Sequence, residues 1–418
     1  MGPEAMGPEA SSRPFRPSRP SLAFVSPAET GRMNRARLLR LLYAHGPLSR
    51  SELARLLGAQ RAVVGAVAQP LIEEGLLAEG APRPSGPGGG RGGRPLWFAE
   101  DSAPIGAVHL MPGSVRAAVI GAGGTVRASA SRTLAPGTGP GAVLEEIEGA
   151  LRDARARVPV PGGRGRAVPP RGVGVAVGGM VDTTMGCVVH VELAPQWDGL
   201  PLGPLLQERL GLPVLVDLHP RAQALGDLWF GEGRGLSSFA SVYVREAIGV
   251  GFVTHGTLHR GSRGAGGEIG HTVVDVGGAL CRCGRRGCWD TLATVRWLRA
   301  RAERLGLPDA ATLTSAALAG RADAGDRRAA GLLREYAENL AVGLAVVWQL
   351  LAPEAVLLHG DPVGAGRPLR EAVEEALTPL VLPHPGIRPS VVLAPWDESD
   401  TLRGAACLIL ADMLRFTV

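Results

Sequence analysis

The stretch EIGHTVVDVGGALCRCGRRGCWD, from Glu268 to Asp290, decides how the rest of this chain is interpreted. It contains one histidine and three of the five cysteines of the chain. These four side chains are the candidate metal ligands: His271, Cys281, Cys283 and Cys288. Two glycines among the cysteines let the backbone turn tightly enough for the sulfurs to converge. One imidazole and three thiolates form a tetrahedral set that suits Zn²⁺ and leaves no position for water, so we predict a structural zinc site.

The cysteine cluster has two other interpretations, buried free thiols and a disulfide. Arg282, Arg285 and Arg286 interleave the cysteines, which argues against the apolar surroundings that free thiols prefer. A disulfide among three clustered cysteines would leave an odd thiol. A metal site therefore accounts for the cluster better than either alternative.

The motif GGEIGH at 266–271, followed by CRCGRRGCWD at 281–290, resembles the zinc-centred signature of the ROK family. This family groups bacterial sugar-responsive repressors with sugar kinases, and the resemblance extends from about Asn34 to the C-terminus. It implies an α/β chain with an actin-like two-lobed sugar-kinase fold and an N-terminal winged helix-turn-helix domain. In the family, the Glu and His of this motif contact sugar hydroxyls, and zinc fixes the loop that carries them.

The resemblance also implies which residues contact a sugar. The implied positions are Gly179, Gln196, Glu268, His271 and Asp290. Gln196 falls where the family has Asn, and Asp290 is one methylene shorter than the usual Glu. We therefore expect a pocket for a sugar, a sugar phosphate or another polyol-like ligand, or a pocket that no longer binds one.

Length and composition set broader limits on the protein. A chain of 418 residues predicts two or three domains. The net charge of +5 permits a nucleic-acid partner without requiring one. We find no apolar run long enough to cross a membrane and no signal sequence, so we expect a cytoplasmic protein without a membrane partner. Thiols stay reduced in the cytoplasm, which also favours a metal site over disulfides.

The N-terminal part divides into a tail and a small helical domain. Residues 1–32 repeat MGPEA and continue with Ser, Arg and Pro, which predicts a disordered tail. Residues 33–98 predict a winged helix-turn-helix domain, with a capping box over 49–52 opening its second helix. The third helix ends near Gly75 although Pro70 lies inside it, and the wing carries arginines on a glycine-rich scaffold.

A third helix of this kind enters the major groove of DNA, and an arginine-tipped wing reaches the minor groove. We expect contacts with double-stranded DNA from Arg50, Gln60, Arg61, Arg91 and Arg94. Gln can pair bidentately with adenine and Arg with guanine. A lone three-helix unit also fits a protein-binding module, and the arginine-tipped wing favours DNA binding over this alternative.

The remaining residues alternate strand-like and helical segments, which is typical of an α/β protein. We predict lobe 1 over 99–218 and lobe 2 over 219–400, with the zinc loop at 268–290. The final segment, 401–418, is predicted as a helix that packs back on lobe 1. A hairpin pattern occurs near 105–127 and again after Ser241, which indicates two similar halves facing a cleft.

The motifs with which kinases of this family hold ATP are altered in this sequence. The first hairpin reads like DxGGT in those kinases, and here residues 107–112 read AVHLMP. The second phosphate loop, GxGIGxG, becomes REAIGVG at 245–251, and the adenosine-side turn becomes HGDP at 359–362. The catalytic Asn-Asp pair falls on Leu218 and His219. We therefore predict that the protein is not an enzyme.

Together these features predict a DNA-binding transcriptional regulator, a repressor of carbohydrate-related genes whose inactive kinase-like domain senses a sugar or sugar phosphate. We expect a homodimer or a dimer of dimers on a palindromic operator. Three alternatives stay open: a constitutive DNA-binding protein that has lost sensing, an ATP-dependent sugar kinase that also binds DNA, and a protein-interaction scaffold.

Overall fold

The computed structural model describes residues 27–82, 93–100, 103–159, 168–394 and 399–413. The first elements form a small helical unit with a three-stranded sheet of order β1-β3-β2. These elements are α1 (Pro27–His45), β1 (Leu48–Ser49), α2 (Arg50–Leu57), α3 (Arg61–Glu73), β2 (Leu77–Glu79) and β3 (Pro95–Phe98). The predicted capping box is present, because Ser49 and Glu52 each accept a backbone N–H from the other. Helix α3 continues through Pro70 to Glu73.

Helix α1 begins at Pro27, which corrects the predicted disordered tail of residues 1–32 at its last six positions. Proline suits the first turn of a helix, because its missing N–H would have no partner there and its φ is already helical. Residues 1–26 lie outside the described part of the chain.

The rest of the described chain is built from strands and helices in alternation. The strands are β4 (Ile105–Met111), β5 (Ser114–Ile120), β6 (Val126–Thr133), β7 (Val173–Val177), β8 (Met180–Asp182), β9 (Cys187–His190), β10 (Val214–Leu218), β11 (Phe239–Val244), β12 (Ile248–Thr254), β13 (Thr257–His259), β14 (Ala355–Gly360) and β15 (Val391–Leu393). The helices are α4 (Pro140–Ala156), α5 (Leu202–Leu210), α6 (His219–Trp229), α7 (Val295–Arg304), α8 (Ser315–Asp323), α9 (Arg327–Leu351), α10 (Asp361–Leu377) and α11 (Ser399–Met413).

The two large sheets have the same topology. The first has the order β10-β7-β4-β5-β6 and the second β13-β12-β11-β14-β15, so each combines an antiparallel three-stranded meander with two parallel strands. This duplication agrees with the predicted two-lobed sugar-kinase fold. Within the described ranges, no helix combines the length and the apolar character needed to cross a membrane.

Helices α6 and α11 pack against each other between these sheets. A methyl group at Gly404 of α11 would lie 1.6 Å from the carbonyl oxygen of Ala222 in α6, so the two backbones touch. Helix α11 also packs on β7, β4 and β10 of the first sheet. Every residue of α6 except Leu228 is buried, so this helix forms the centre of the molecule.

The helical unit is joined to this body through aromatic side chains. Tyr43 of α1 stacks on Phe98 with ring centroids 4.0 Å apart and meets Trp229 and Phe230 edge-on at 5.1 and 5.0 Å. Arg40 lies over the Trp229 ring and donates a 2.6 Å hydrogen bond to the carbonyl of Gly256. Since Trp229 ends α6, the helical unit contacts the same helix that begins at the cleft.

Candidate metal centre and cleft

The metal-binding loop converges as its sequence predicts. The four ligand atoms lie within 4.8 Å of one another, with 3.6 Å from Cys281 Sγ to His271 Nδ1 and 3.6 Å from Cys283 Sγ to Cys288 Sγ. A tetrahedral zinc with Zn–S bonds of about 2.3 Å places two sulfurs roughly 3.8 Å apart. The four side chains therefore fit a metal ion bound in a closed, tetrahedral site.

A cavity of about 500 Å³ lies between the two sheets. His271 takes part in both sites, because its Nδ1 faces the sulfurs while the ring lines this cavity. Glu268, Asp290 and Gly179 line the cavity as well. The structure thus brings together four of the five predicted sugar-contacting residues, and we call this part of the cavity the acidic end.

Burial changes the pKa values of both carboxyl groups at the acidic end. It raises the pKa of Glu268 and the pKa of Asp290 above their usual values, because the charged forms lose water. Asp290 Oδ1 accepts the backbone N–H of Ile248 at 2.8 Å, which fixes that carboxyl group against β12. Carboxyl oxygens held in this way suit the hydroxyl groups of a polyol.

The prediction for Gln196 needs correction. Its side-chain amide donates a 3.1 Å hydrogen bond to the carbonyl of Thr138, beside Trp197, and Gln196 does not line the cavity. It lies in a single 3₁₀ turn, where a shift of one residue turns a side chain by about 120° around the helix axis. His190 and Glu192 line the cavity instead. They lie at and just after the end of β9, and the sequence pattern did not predict the β8–β9 hairpin that places them there.

A buried ion-pair network supports the segment before Glu268. Arg221 is fully buried on α6, and its guanidinium bonds Asp217 at 2.6 Å and the carbonyls of Gly264 and Gly266 at 2.7 and 2.8 Å. Arg260 reaches the other oxygen of Asp217 at 2.7 Å. Apart from the Asp217–Arg221 pair, which spans four positions, these partners are more than 40 positions apart in sequence, so no local pattern predicted the network.

The opposite part of the cavity has a different lining, and we call it the histidine end. His109 and His219 stack with centroids 4.8 Å apart, and Tyr243 meets His219 edge-on at 4.3 Å. Burial, reinforced by the charge of Arg116, lowers the pKa of His109 to about 4. Burial also lowers the pKa of His219 well below its usual range. Both rings are therefore neutral at pH 7.

The predicted DNA-contacting residues differ in their surroundings. Gln60 and Arg61 are exposed at the N-terminal end of α3, and Arg94 is exposed before β3. Arg50 instead forms an ion pair with Glu79 of β2 and is half-buried, which corrects its predicted availability. Arg91 lies outside the described residues.

The family model for "ROK family" matches residues 163–412, which is more than half of the chain. The chain belongs to the ROK family. It is 32% identical over 249 residues to a glucokinase of Thermotoga maritima, covering 57% of this chain and 78% of that protein. It is 25% identical over 408 residues to a putative xylose repressor of Caldicellulosiruptor sp., covering 92% of this chain and 97% of that protein.

Solved structures agree on the fold of this ROK chain. A ROK family transcriptional regulator described as a homologue of the Escherichia coli MLC protein superposes with a TM-score of 0.74. It is 24% identical, and the match covers 91% of this chain and 96% of that chain. ROK relatives thus include both repressors and glucokinases, and the match to the putative xylose repressor extends over nearly the whole chain.

Proposed function

We propose that this ROK chain is a DNA-binding transcriptional regulator that represses carbohydrate-related genes. The observation that carries the proposal is a helix-turn-helix unit packed through buried aromatic rings on a kinase-like body. The Caldicellulosiruptor relative that matches over nearly its whole length is named a putative xylose repressor, which supports the same conclusion. A cytoplasmic location follows from this function, because the operator is there.

The proposed DNA contacts come from the start of α3 and from the wing. Gln60 and Arg61 occupy the positive end of the helix, where base edges and phosphates are within reach. Arg94 is exposed immediately before β3, and a contact from Arg91 stays a proposal from the sequence, because this residue lies outside the described part of the chain. Arg50 acts on DNA only indirectly in this proposal, because its pair with Glu79 holds α2 against the sheet.

Zn²⁺ is the metal that we propose for the cysteine cluster. When bound, it would cross-link His271 with Cys281, Cys283 and Cys288 and supply no chemistry of its own. Since Nδ1 of His271 faces the metal, its Nε2 is the atom left for a ligand in the cleft. The metal would thereby fix both the loop and the ring that binds the effector.

The proposed effector lies at the acidic end, where Glu268, His271, Asp290 and the backbone at Gly179 contact its hydroxyl groups. Helix α6 begins at this cleft with His219 and ends at the aromatic junction with Trp229. A small rotation of α6 on ligand binding would therefore move the helical unit. In a homodimer this changes the separation of the two DNA-reading helices, provided that the ligand binds one state better than the other.

Catalytic inactivity is part of the proposal. Met111 and Pro112 occupy the first hairpin turn, and Arg245 and Glu246 the second, where a phosphate needs small residues and free backbone N–H groups. A coupled assay with ATP and a panel of hexoses and pentoses tests this directly. We expect no sugar-dependent ADP release above background, whereas zinc-loaded protein that turns over ATP with a sugar would establish a kinase.

A constitutive regulator is the second candidate, and the absence of Gln196 from the cavity lining favours it. Fluorescence anisotropy with labelled operator DNA separates the two candidates. Under the sensing proposal, at least one sugar or sugar phosphate weakens operator binding about tenfold or more. A binding curve that no candidate compound moves would support the constitutive regulator.

A further inference from the structure

The turn between β5 and β6, residues 121–124, reads GAGG and packs against the linker that joins β3 to β4. Glu100 of this linker lies directly on the turn. A methyl group at Gly121 would lie 1.8 Å from its Oε2 atom, and one at Gly123 would lie 1.9 Å from its Oε1 atom. The carboxylate therefore occupies the space that the two missing side chains leave, and any other residue at either position would displace it.

Three further side chains reach the same turn. Tyr43 of α1 donates its hydroxyl hydrogen to the carbonyl of Ala122. Arg403 of α11 donates a 3.2 Å hydrogen bond to the carbonyl of Gly124. A methyl group at Gly124 would lie 2.4 Å from the ring of Phe230, the residue that follows α6. The turn thus contacts the helical unit, the linker and both central helices.

The contact between Tyr43 and the turn is shielded from water, because Ala122 is fully buried. Burial also raises the pKa of Tyr43 well above its usual value, so the hydroxyl group remains a hydrogen-bond donor at neutral pH. Tyr43 stacks on Phe98, the last residue of β3. The linker is therefore fixed at its start by Phe98 and, two residues later, by Glu100.

Contacts at two other places complete the docking of the helical unit. Arg171, before β7, donates a 3.1 Å hydrogen bond to the carbonyl of Glu74 at the end of α3. Arg40 of α1 bonds the carbonyl of Gly256 in the turn between β12 and β13. The unit is thus held at three separate places on the body, which fixes the direction in which α3 projects.

We propose that the turn 121–124 is a docking site for the linker, and that Glu100 and Tyr43 are positioning residues for the DNA-reading helix α3. In a homodimer, the orientation of the helical unit sets the distance between the two α3 helices and hence the half-site spacing that the protein selects. This inference rests on the proposed DNA-binding function and assigns the choice of spacing to residues that do not touch DNA.

Selection of bound sequences from a pool of random DNA tests the inference without a known operator. The full zinc-loaded wild type should enrich paired half-sites at one spacing. Gly123→Ala displaces the carboxylate of Glu100, so it should enrich the same half-site sequence at several spacings. It should bind the wild-type spacing about tenfold more weakly, because the helical unit is no longer held in the binding orientation. Glu100→Ala should behave in the same way.

A purely structural role would lower stability and leave the preferred spacing unchanged, so the distribution of spacings separates the two roles. Gly123→Ala combined with Glu100→Ala should be no weaker than either single variant, because both substitutions remove one contact. Glu100→Gln keeps the size of the side chain and should retain the single spacing. Gly139→Ala and Gly141→Ala are matched controls, because a methyl group at either position meets nothing within 4 Å, and both should match the wild type.

Hydrogen exchange of the protein alone measures the docking of the linker directly. Amide exchange in residues 95–100 and 121–126 should be about tenfold faster in Gly123→Ala and Glu100→Ala than in the wild type, while circular dichroism stays unchanged. Unchanged exchange, or a single unchanged spacing in both variants, would overturn the inference. A wild type that enriches no DNA sequence would contradict the proposed function instead, and hydrogen exchange would still decide whether Glu100 holds the linker.

Discussion

Two glycines make the metal loop possible. Gly284 and Gly287 adopt φ angles of +83° and +73°, which side-chain-bearing residues rarely adopt. A methyl group at Gly287 would also lie 1.7 Å from the carbonyl oxygen of Asp275. The sequence spacing was therefore enough to predict this site, because the ligands and the turn residues are all local.

Cys283→Ser tests the ligand set. We expect loss of bound zinc, measured by elemental analysis, because three ligands no longer close the tetrahedral site. The effector response should weaken more than operator affinity, since the loop carries Glu268 and His271. Cys187→Ser, which changes a cysteine outside the cluster, is the control and should retain one zinc per chain. Stoichiometric zinc in Cys283→Ser would show that the ligand set is wrong.

The buried histidine His109 predicts a pH effect on stability. Its pKa is about 4 in the folded protein and 6.5 when unfolded, so below pH 6.5 the unfolded chain binds a proton that the folded chain does not. Stability is therefore lost as the pH falls from 6.5 towards 4. His109→Gln should reduce the loss in unfolding free energy between pH 7 and 4.5 by about 2–3 kcal/mol.

Denaturant titrations at the two pH values measure this effect. His259→Gln, which changes an exposed histidine, is the matched control and should keep the wild-type pH dependence. Identical pH dependence in His109→Gln and the wild type would contradict a neutral, buried imidazole.

At the scale of elements, helix α3 presents a buried side to the helical unit and an exposed side to solvent. Val64, Ala68 and Leu71 are buried, whereas Arg61 and Val63 are exposed. This 3.6-residue pattern is why the helix was predictable from sequence. The ion pair of Arg50 was not, since its partner lies on a strand 29 positions away.

Arg61→Gln should weaken operator binding about tenfold and lower the salt slope of the affinity by roughly one unit, because a phosphate or guanine contact is lost. Fluorescence anisotropy at several salt concentrations measures both quantities. Arg152→Gln removes the same charge from the exposed side of α4 and should change neither. Equal effects of the two substitutions would mean that α3 does not face the DNA.

Other elements could not be predicted from the sequence, because they are short or their apolar pattern is weak. Strands β8 and β9 have three and four residues, too few for a period-2 pattern to emerge. Helix α8 is nine residues long and rich in alanine, so its apolar side is weakly marked. Because β9 leads to His190 and Glu192, missing these short strands also meant missing two cavity residues.

At the scale of the whole molecule, one hydrophobic core runs from the helical unit into the first lobe. Leu38 and Leu53 of the helical unit belong to the same buried cluster as Trp229 of α6 and Leu408 of α11. The duplicated sheets were predictable because the hairpin pattern repeats. The junction was not, since Tyr43, Phe98 and Phe230 come together from distant parts of the sequence.

This continuous core predicts cooperative unfolding. The wild type should give one transition in scanning calorimetry that includes the helical unit. Tyr43→Ala removes about 3–5 kcal/mol of packing, so the helical unit should melt separately and at lower temperature. Leu350→Ala, at a site that is 71% exposed, should retain the single transition. A separate early transition in the wild type would contradict coupling through the junction.

The central claim, that this ROK chain is a sequence-specific regulator of transcription, is tested most directly by a genome-wide map of the DNA that it binds. We expect sharp peaks over a shared palindromic sequence beside carbohydrate-related genes, and their loss in Arg61→Gln. A map without enriched sites for the folded, zinc-loaded protein would contradict the claim.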